Sequence, residues 1–194
     1  MNKQKNDNIL HILILGNSTV GKSSILIRYV NNRFYDTYIA TIGVDFMKKD
    51  LVIDNTKVTL QIWDSGGQER YKSASKQFLK KAQGIVLVFD LTSPFSFEGM
   101  VNWLTDIENE ATKDLPIVLV GNKSDLSNKA ISYEEVSKFA ENKNLKYFET
   151  SALKGDNIDE VFLTIANLVW KQKHLRKERG GITLTNEKPK KKFC

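Results

Sequence analysis

One cysteine, Cys194 at the last position, is all the thiol this 194-residue chain has. An internal disulfide framework is therefore excluded. Long hydrophobic runs are missing as well, and none approaches the roughly 20 residues of a membrane-spanning helix. The opening stretch, Met1 to Asn8, is polar and holds no apolar signal-peptide core, which points to the cytosolic side of the cell. No internal repeat is visible. Excess charge is absent from most of the chain, although the net value is +6. Residues 171–194 hold nine Lys/Arg and two Glu, so they carry +7, while residues 1–170 carry −1. A near-neutral body with a basic tail argues against a nucleic-acid-binding face, and no nucleic-acid partner is expected. With 41% hydrophobic and 27% charged residues, the composition is that of one globular domain with a full core.

What is present is organised around Gly16 to Ser24, reading Gly-Asn-Ser-Thr-Val-Gly-Lys-Ser-Ser, a match to G-x-x-x-x-G-K-[ST]. Two glycines let the backbone curl so that the N–H groups of Asn17, Ser18, Thr19, Val20, Gly21, Lys22, Ser23 and Ser24 form a nest for phosphate oxygens. Lys22 can reach the β- and γ-phosphates, and the Ser23 hydroxyl can ligate Mg²⁺. A helix beginning here adds the positive end of its dipole. The flanks fit: Ile9 to Leu15 is almost continuously apolar, as a buried parallel strand should be, and Ile25, Leu26, Tyr29 and Val30 recur at helical spacing. A plain glycine turn between core elements would not require Lys and Ser to follow.

Further along, Gly43 to Ile53 and Thr56 to Asp64 read as two strands joined by an Asp54-Asn55 turn, an antiparallel hairpin. Gly84 to Asp90, Pro116 to Gly121 and the weaker Lys146 to Thr150 read as parallel strands. Helices are marked by Phe97, Met100, Val101 and Leu104, by Val136, Phe139 and Ala140, and by Ile158, Val161, Phe162, Ile165, Ala166 and Val169. The expected fold is α/β: a six-stranded, mostly parallel sheet with one antiparallel strand and helices on both faces. Ligands of such sheets sit beyond the carboxyl ends of the strands. The phosphate loop, Asp64, Asn122 to Asp125 and Ser151-Ala152 all follow strands, so they converge on one rim.

Asn122-Lys123-Ser124-Asp125 reads N-K-x-D. A carboxylate in the base plane accepts from the N1–H and 2-amino groups of guanine, whereas adenine would leave Asp125 buried and unpaired. The plainer reading is a turn, weakened by the segment's place after a phosphate loop. In Asp64-Ser65-Gly66-Gly67-Gln68-Glu69, Asp64 can hold the Mg²⁺ shell, a glycine amide can sense the γ-phosphate, and Gln68 can hold an attacking water in line. Thr41 can offer its hydroxyl to Mg²⁺ and its amide to the γ-phosphate, although such a residue taken alone is more often a solvated loop hydroxyl. No arginine lies in the phosphate loop or immediately before Thr41, so no built-in arginine finger is evident.

Together these segments resemble the small GTPases of the Ras superfamily and, within it, the Rab family. The resemblance covers about residues 9–170 and rests on G-N-S-T-V-G-K-S, T-I-G-V-D-F (41–46), W-D-S-G-G-Q-E-R (63–70), N-K-S-D (122–125) and T-S-A (150–152). It implies a P-loop G domain over 9–175, a disordered leader at 1–8 and a flexible basic tail at 176–194. It also implies a switch that binds GTP and GDP with Mg²⁺, hydrolyses GTP slowly, and regulates vesicle traffic through GTP-dependent effectors. By the same resemblance Phe34 packs on guanine, the Gly67 amide meets the γ-phosphate, and the backbone of Ser151, Ala152 and Leu153 lines the base. Catalysis falls to Gln68, Lys22 and Thr41, and the metal to Ser23, Thr41 and Asp64. Ile42, Gly43, Val44, Asp45 and Phe46, with Trp63 and Phe78, form the effector surface, unless those three rings are purely structural. An exchange factor, a GTPase-activating protein and a GDI-type carrier are the further partners of a monomer working on the cytoplasmic face of an intracellular membrane. Departures from the pattern are Ser65-Gly66 before Gly67, Leu153 after Ser-Ala, and Phe78-Leu79-Lys80-Lys81-Ala82.

The tail ends Lys188-Pro-Lys-Lys-Lys-Phe-Cys194, and Gly180-Gly181 should break the helix before it. A solvated tail with an incidental thiol is one reading. A prenylated Cys194 backed by Lys188, Lys190, Lys191 and Lys192 on an anionic leaflet is the sharper one, because a single lipid chain alone holds a membrane only marginally. Three alternatives stand beside the traffic switch: a Ras- or Rho-like signalling GTPase, a nucleotide-bound module with little turnover, and a P-loop kinase or ATPase, for which N-K-x-D would have no use.

Overall fold

The computed structural model describes residues 8–36, 44–65, 77–112 and 114–180. In chain order the elements are β1 (Ile9–Leu15), α1 (Lys22–Asn31), β2 (Val44–Ile53), β3 (Thr56–Ser65), β4 (Gly84–Asp90), α2 (Pro94–Glu110), β5 (Ile117–Asn122), α3 (Tyr133–Asn142), β6 (Lys146–Glu149) and α4 (Ile158–Gly180). The six strands form one sheet in the order β2-β3-β1-β4-β5-β6. Only the β2–β3 pair is antiparallel, with Phe46 opposite Trp63 and Ile53 opposite Thr56. The other four pairings are parallel, as the crossover rule expects.

Alternation along each strand sorts the core into two layers. Leu10, Ile12 and Ile14 of β1 face a cluster built with Ile25 and Leu26 of α1 and Val161, Phe162, Ile165 and Val169 of α4. Leu13 and Leu15 face the opposite cluster, with Met100, Leu104 and Ile107 of α2 and Val136 and Ala140 of α3. Helices therefore cover both faces, α1 and α4 on one and α2 and α3 on the other. The Tyr29 and Phe162 rings stack at 3.9 Å and tie the first pair together, a contact worth about 1 kcal/mol beyond its area.

Local chemistry explains the element boundaries. Asp54 and Asn55 both adopt positive φ, at 47° and 58°, the backbone a two-residue hairpin turn needs and that short polar side chains tolerate. The Trp170 indole then donates to Asp54 Oδ2 at 3.2 Å, fastening that turn to α4. Ser93 and Ser132 cap α2 and α3, accepting from the Ser96 and Glu135 amides. α4 runs on past residue 175 and has Gly180 as its last residue, at the Gly-Gly pair expected to stop it. Val101 differs from the sequence expectation: it is 50% exposed. Met100, Leu104 and Ile107 carry the sheet-facing stripe, and a residue one step from Met100 sits about 100° round the helix.

The strand order reverses at β1, whose neighbours are β3 on one side and β4 on the other. The chain goes from β1 outward to the hairpin and then returns across to β4. A crevice opens at the carboxyl ends of the strands wherever an open sheet reverses this way. Both the loop after β1 and the end of β3 lie at that point, and the ends of β5 and β6 continue the same rim.

Candidate functional site

The phosphate loop takes its shape from two left-handed glycines. Gly16 has φ 140°, and a Cβ there would stand 2.0 Å from the Val88 carbonyl oxygen of β4. Gly21 has φ 97°, and its Cβ would stand 2.3 Å from Asn122 Nδ2. Neither position tolerates a side chain. Between them Val20 is buried, and Thr19 holds φ 65° with its hydroxyl donating to the Ser18 carbonyl at 2.6 Å. Asn17 Oδ1 accepts from the Trp103 indole of α2 at 2.8 Å, so a helix from the far face steadies the loop.

α1 starts at Lys22 with Gly21 as its N-cap, so the first-turn amides that a helix leaves unpaired stand at the loop. Lys22 is 5% exposed, and its Nζ donates to the carbonyls of Gly16 at 2.9 Å and Asn17 at 2.7 Å. Burial lowers its pKa to about 8, a shift the Asp64 carboxylate opposes. Ser23 donates to Asp64 Oδ2 at 2.5 Å, joining the loop to the end of β3. This donor set, a half-buried hydroxyl beside a buried carboxylate, suits a hard cation that takes oxygen ligands. No group of three or more His, Cys, Asp or Glu able to hold a metal occurs among the described residues. Ser23 and Asp64 would offer such an ion two oxygens, and Mg²⁺ commonly completes its shell with water and substrate phosphate.

The other end of the rim is built from β5 and β6. Asn122 is 2% exposed. Its Nδ2 donates to the Val20 carbonyl at 2.9 Å, and its Oδ1 accepts from the Thr150 hydroxyl at 3.2 Å and the Ala152 amide at 3.3 Å. Asn122 is accordingly a brace between the phosphate loop and the segment after β6. Lys123 adopts φ 66° and its Nζ lies 2.6 Å from Asp90 Oδ2, at the end of β4. Asp125 Oδ1 accepts from the Ser151 hydroxyl at 2.5 Å. The Arg28 guanidinium of α1 donates to the carbonyls of Ala152 and Leu153.

The structure therefore brings together Asn17 to Ser24, Asp64, Asn122, Lys123, Asp125 and Ser151 to Leu153, as the rim argument expects. Leu153 turns its side chain outward, 48% exposed. Phe34 is half-buried against the α1/α4 core cluster. Of the three rings of the expected effector surface, Phe46 is 49% exposed while Trp63 is 7% exposed. Trp63 stacks on His11 at 4.9 Å and meets Phe78 edge-on at 5.4 Å, so it is chiefly a core residue joining two ring partners. Thr41, Ile42, Gly43, Gly67, Gln68 and Cys194 lie outside the described residues; for Val44 and Asp45 only the backbone, paired with Ser65 and Asp64, is described. Three further residues, not singled out in the sequence, join the rim: Arg28, Asp90 and Trp103. Asp90 was within reach, since it ends a strand at the same rim as Asp64. Arg28 and Trp103 had no local signal.

Comparison with known proteins matches this sequence to one family. A family model described as the Ras family matches residues 11–171. The chain is 43% identical over 162 residues to Ras-related protein Rab-1C of Dictyostelium discoideum, covering 83% of this chain and 81% of that protein. It is 41% identical over 169 residues to Ras-related protein RABA4d of Arabidopsis thaliana, covering 87% and 76%. It is 39% identical over 177 residues to Ras-related protein Rab-15 of Rattus norvegicus, covering 91% and 82%. With a phosphate loop, a six-stranded Ras-like sheet and relatives of this kind over most of its length, the chain belongs to the Ras family and is a small GTPase of the Rab type.

Proposed function

We propose that the rim formed by residues 16–24, 64, 122–125 and 151–153 is where this GTPase holds guanine nucleotide and Mg²⁺, and that hydrolysis there switches a membrane-traffic protein between two states. The observation that carries the reading is the placement of Ser23, Lys22 and Asp64 at one end of the rim and Asp125 with Ser151 at the other, joined by the Asn122 brace. Ser23, Thr41 and Asp64 would hold the metal, which when bound neutralises phosphate charge. Asp125 accepts from the guanine edge, and the loop amides with Lys22 cradle the phosphates. Gln68 orients the attacking water, and the Gly67 amide binds the γ-phosphate.

Chemistry here is positioning plus electrostatics. With no arginine in the phosphate loop or just before Thr41, intrinsic turnover is slow, and an activating protein supplies a gain on the order of 10³–10⁵. GTP orders the loops carrying Thr41 and Gln68, and hydrolysis releases them. Effectors read Ile42 to Phe46 with Trp63 and Phe78; among those three rings Phe46 is the exposed one, Phe78 is half-buried and Trp63 supports them from the core. An exchange factor reloads the protein, and a GDI-type carrier withdraws a monomer from the membrane. No helix among the described residues is long and apolar enough to cross a membrane. A lipid on Cys194 beside the lysines of the tail attaches the protein to a cytoplasmic membrane face.

Single-turnover GTP hydrolysis by wild type and Gln68→Leu, each with and without EDTA, tests the proposal. Slow turnover that falls further in Q68L and is lost on chelation is the expected result. Fast turnover by wild type alone, or a Q68L protein as active as wild type, would overturn it. Affinity capture on GTP-loaded Q68L would then identify effectors.

A further inference from the structure

Arg28 lies on α1 nearly two turns beyond the phosphate loop, yet its guanidinium is spent on a segment 124 residues further along. Its Nε donates to the Ala152 carbonyl at 2.8 Å and its Nη2 to the Leu153 carbonyl at 2.6 Å. Its Nη1 donates to the Asn32 carbonyl at 3.3 Å, so all three nitrogens of the fork are engaged. The two carbonyls at 152 and 153 thus turn toward α1. In a planar trans peptide the N–H points opposite to the C=O. The amides of Leu153 and Lys154 must then turn away from α1. One half of that consequence is visible: the Lys154 amide donates to Ser151 Oγ at 3.0 Å, and the Ser151 hydroxyl donates in turn to Asp125 Oδ1 at 2.5 Å.

We infer that Arg28 is a positioning residue for base recognition. By fixing the peptide planes after Ala152 and Leu153 it sets Ser151, and through Ser151 it sets the carboxylate of Asp125. The inference rests on the reading of this rim as the guanine site. An arginine is suited to the task because a rigid, permanently charged fork binds two carbonyl oxygens at once, whereas a lysine presents one point charge. Asn122 braces the same segment from the sheet side through the Ala152 amide. Ala152 is consequently held by its carbonyl from one direction and its N–H from another, which leaves the loop one orientation.

Release of GDP and of inosine diphosphate, which lacks the 2-amino group, tests this on wild type, Arg28→Met and Arg28→Lys. R28M, which deletes both charge-assisted bonds to the segment, should release GDP at least about tenfold faster. Because the 2-amino contact depends on Asp125, the preference for GDP over inosine diphosphate should shrink by about threefold or more. R28K should fall between the two, and it keeps the test open if R28M does not fold. A variant that weakens both nucleotides equally, or neither, overturns the inference, since a purely structural arginine would leave the preference untouched. Wild type showing no preference for guanosine over adenosine diphosphate would instead remove the guanine site itself, and Arg28's role with it.

Discussion

Replacing Asn122 with Ala removes one side chain and three hydrogen bonds, untying the phosphate loop from the segment after β6. The Val20 carbonyl, the Thr150 hydroxyl and the Ala152 amide each lose a partner, at 2.9, 3.2 and 3.3 Å respectively. All three sit where Asn122 is 2% exposed and Thr150 fully buried, so water has little access to replace the bonds. A buried group left unsatisfied costs about 1–3 kcal/mol. The two longer bonds belong at the low end of that range, which gives about 3–4 kcal/mol in all. For a chain of this length each kcal/mol moves the melting midpoint by roughly 2–4 °C, so Asn122→Ala should melt about 6–16 °C lower. The assay is thermal unfolding of nucleotide-stripped protein, repeated with saturating GDP, because bound ligand stabilises by mass action. Thr150→Val serves as the partial perturbation and should cost about 1 kcal/mol. The double variant should cost little more than Asn122→Ala alone, since both delete the same bond. A drop below about 2 °C, or strict additivity, would refute the claim that Asn122 is the brace.

Two further predictions concern the phosphate end. Gly21→Ala drives a Cβ to 2.3 Å from Asn122 Nδ2 at a φ of 97°, so it should abolish tight nucleotide binding while the circular dichroism spectrum keeps its helix and sheet content. Wild-type affinity in that variant would contradict the described loop. Lys22, lowered to about 8 by burial, should take up a proton when anionic phosphates bind and restore its charge. Calorimetry in buffers of different ionisation enthalpy should therefore show proton uptake near pH 9 and much less near pH 7, where the ammonium is already charged. Equal uptake at both would contradict it. The same shift makes the nucleotide-free fold gain stability as pH rises from about 8 towards the unfolded-state value, because the folded state there binds fewer protons.

Much of this architecture is legible in the chain because its signals are local. The glycine spacing of the phosphate loop dictates a backbone path that only Gly16 and Gly21 can take. Val58, Leu60 and Ile62 alternate with Thr59 and Gln61, and the structure buries the first three completely. The rim follows because Asp64, Asn122 and the Ser151 segment each end a strand. Contacts set by crossing elements have no such signature. Trp103 meets Asn17 across 86 residues and Arg28 meets Ala152 across 124, and nothing in the local spacing of either residue announces it. Val101 shows the opposite failure, an apolar residue at helical spacing that lies at the edge of its stripe and faces water. Lys123 is intermediate. Its motif was plain, but its partner Asp90 depends on β4 and β5 being neighbours.

The most direct measurement of the central claim is the affinity of wild type and Asp125→Asn for guanosine and xanthosine diphosphates. Asn presents one donor and one acceptor where Asp presents two acceptors, so it should refuse the 2-amino group of guanine and accept the 2-oxygen of xanthine. Sites built on such hydrogen bonds discriminate by factors reaching about 10⁴. The account predicts that D125N loses guanine by at least about 100-fold and binds the xanthine nucleotide in its place. A D125N protein that still binds guanosine diphosphate as wild type does would contradict it.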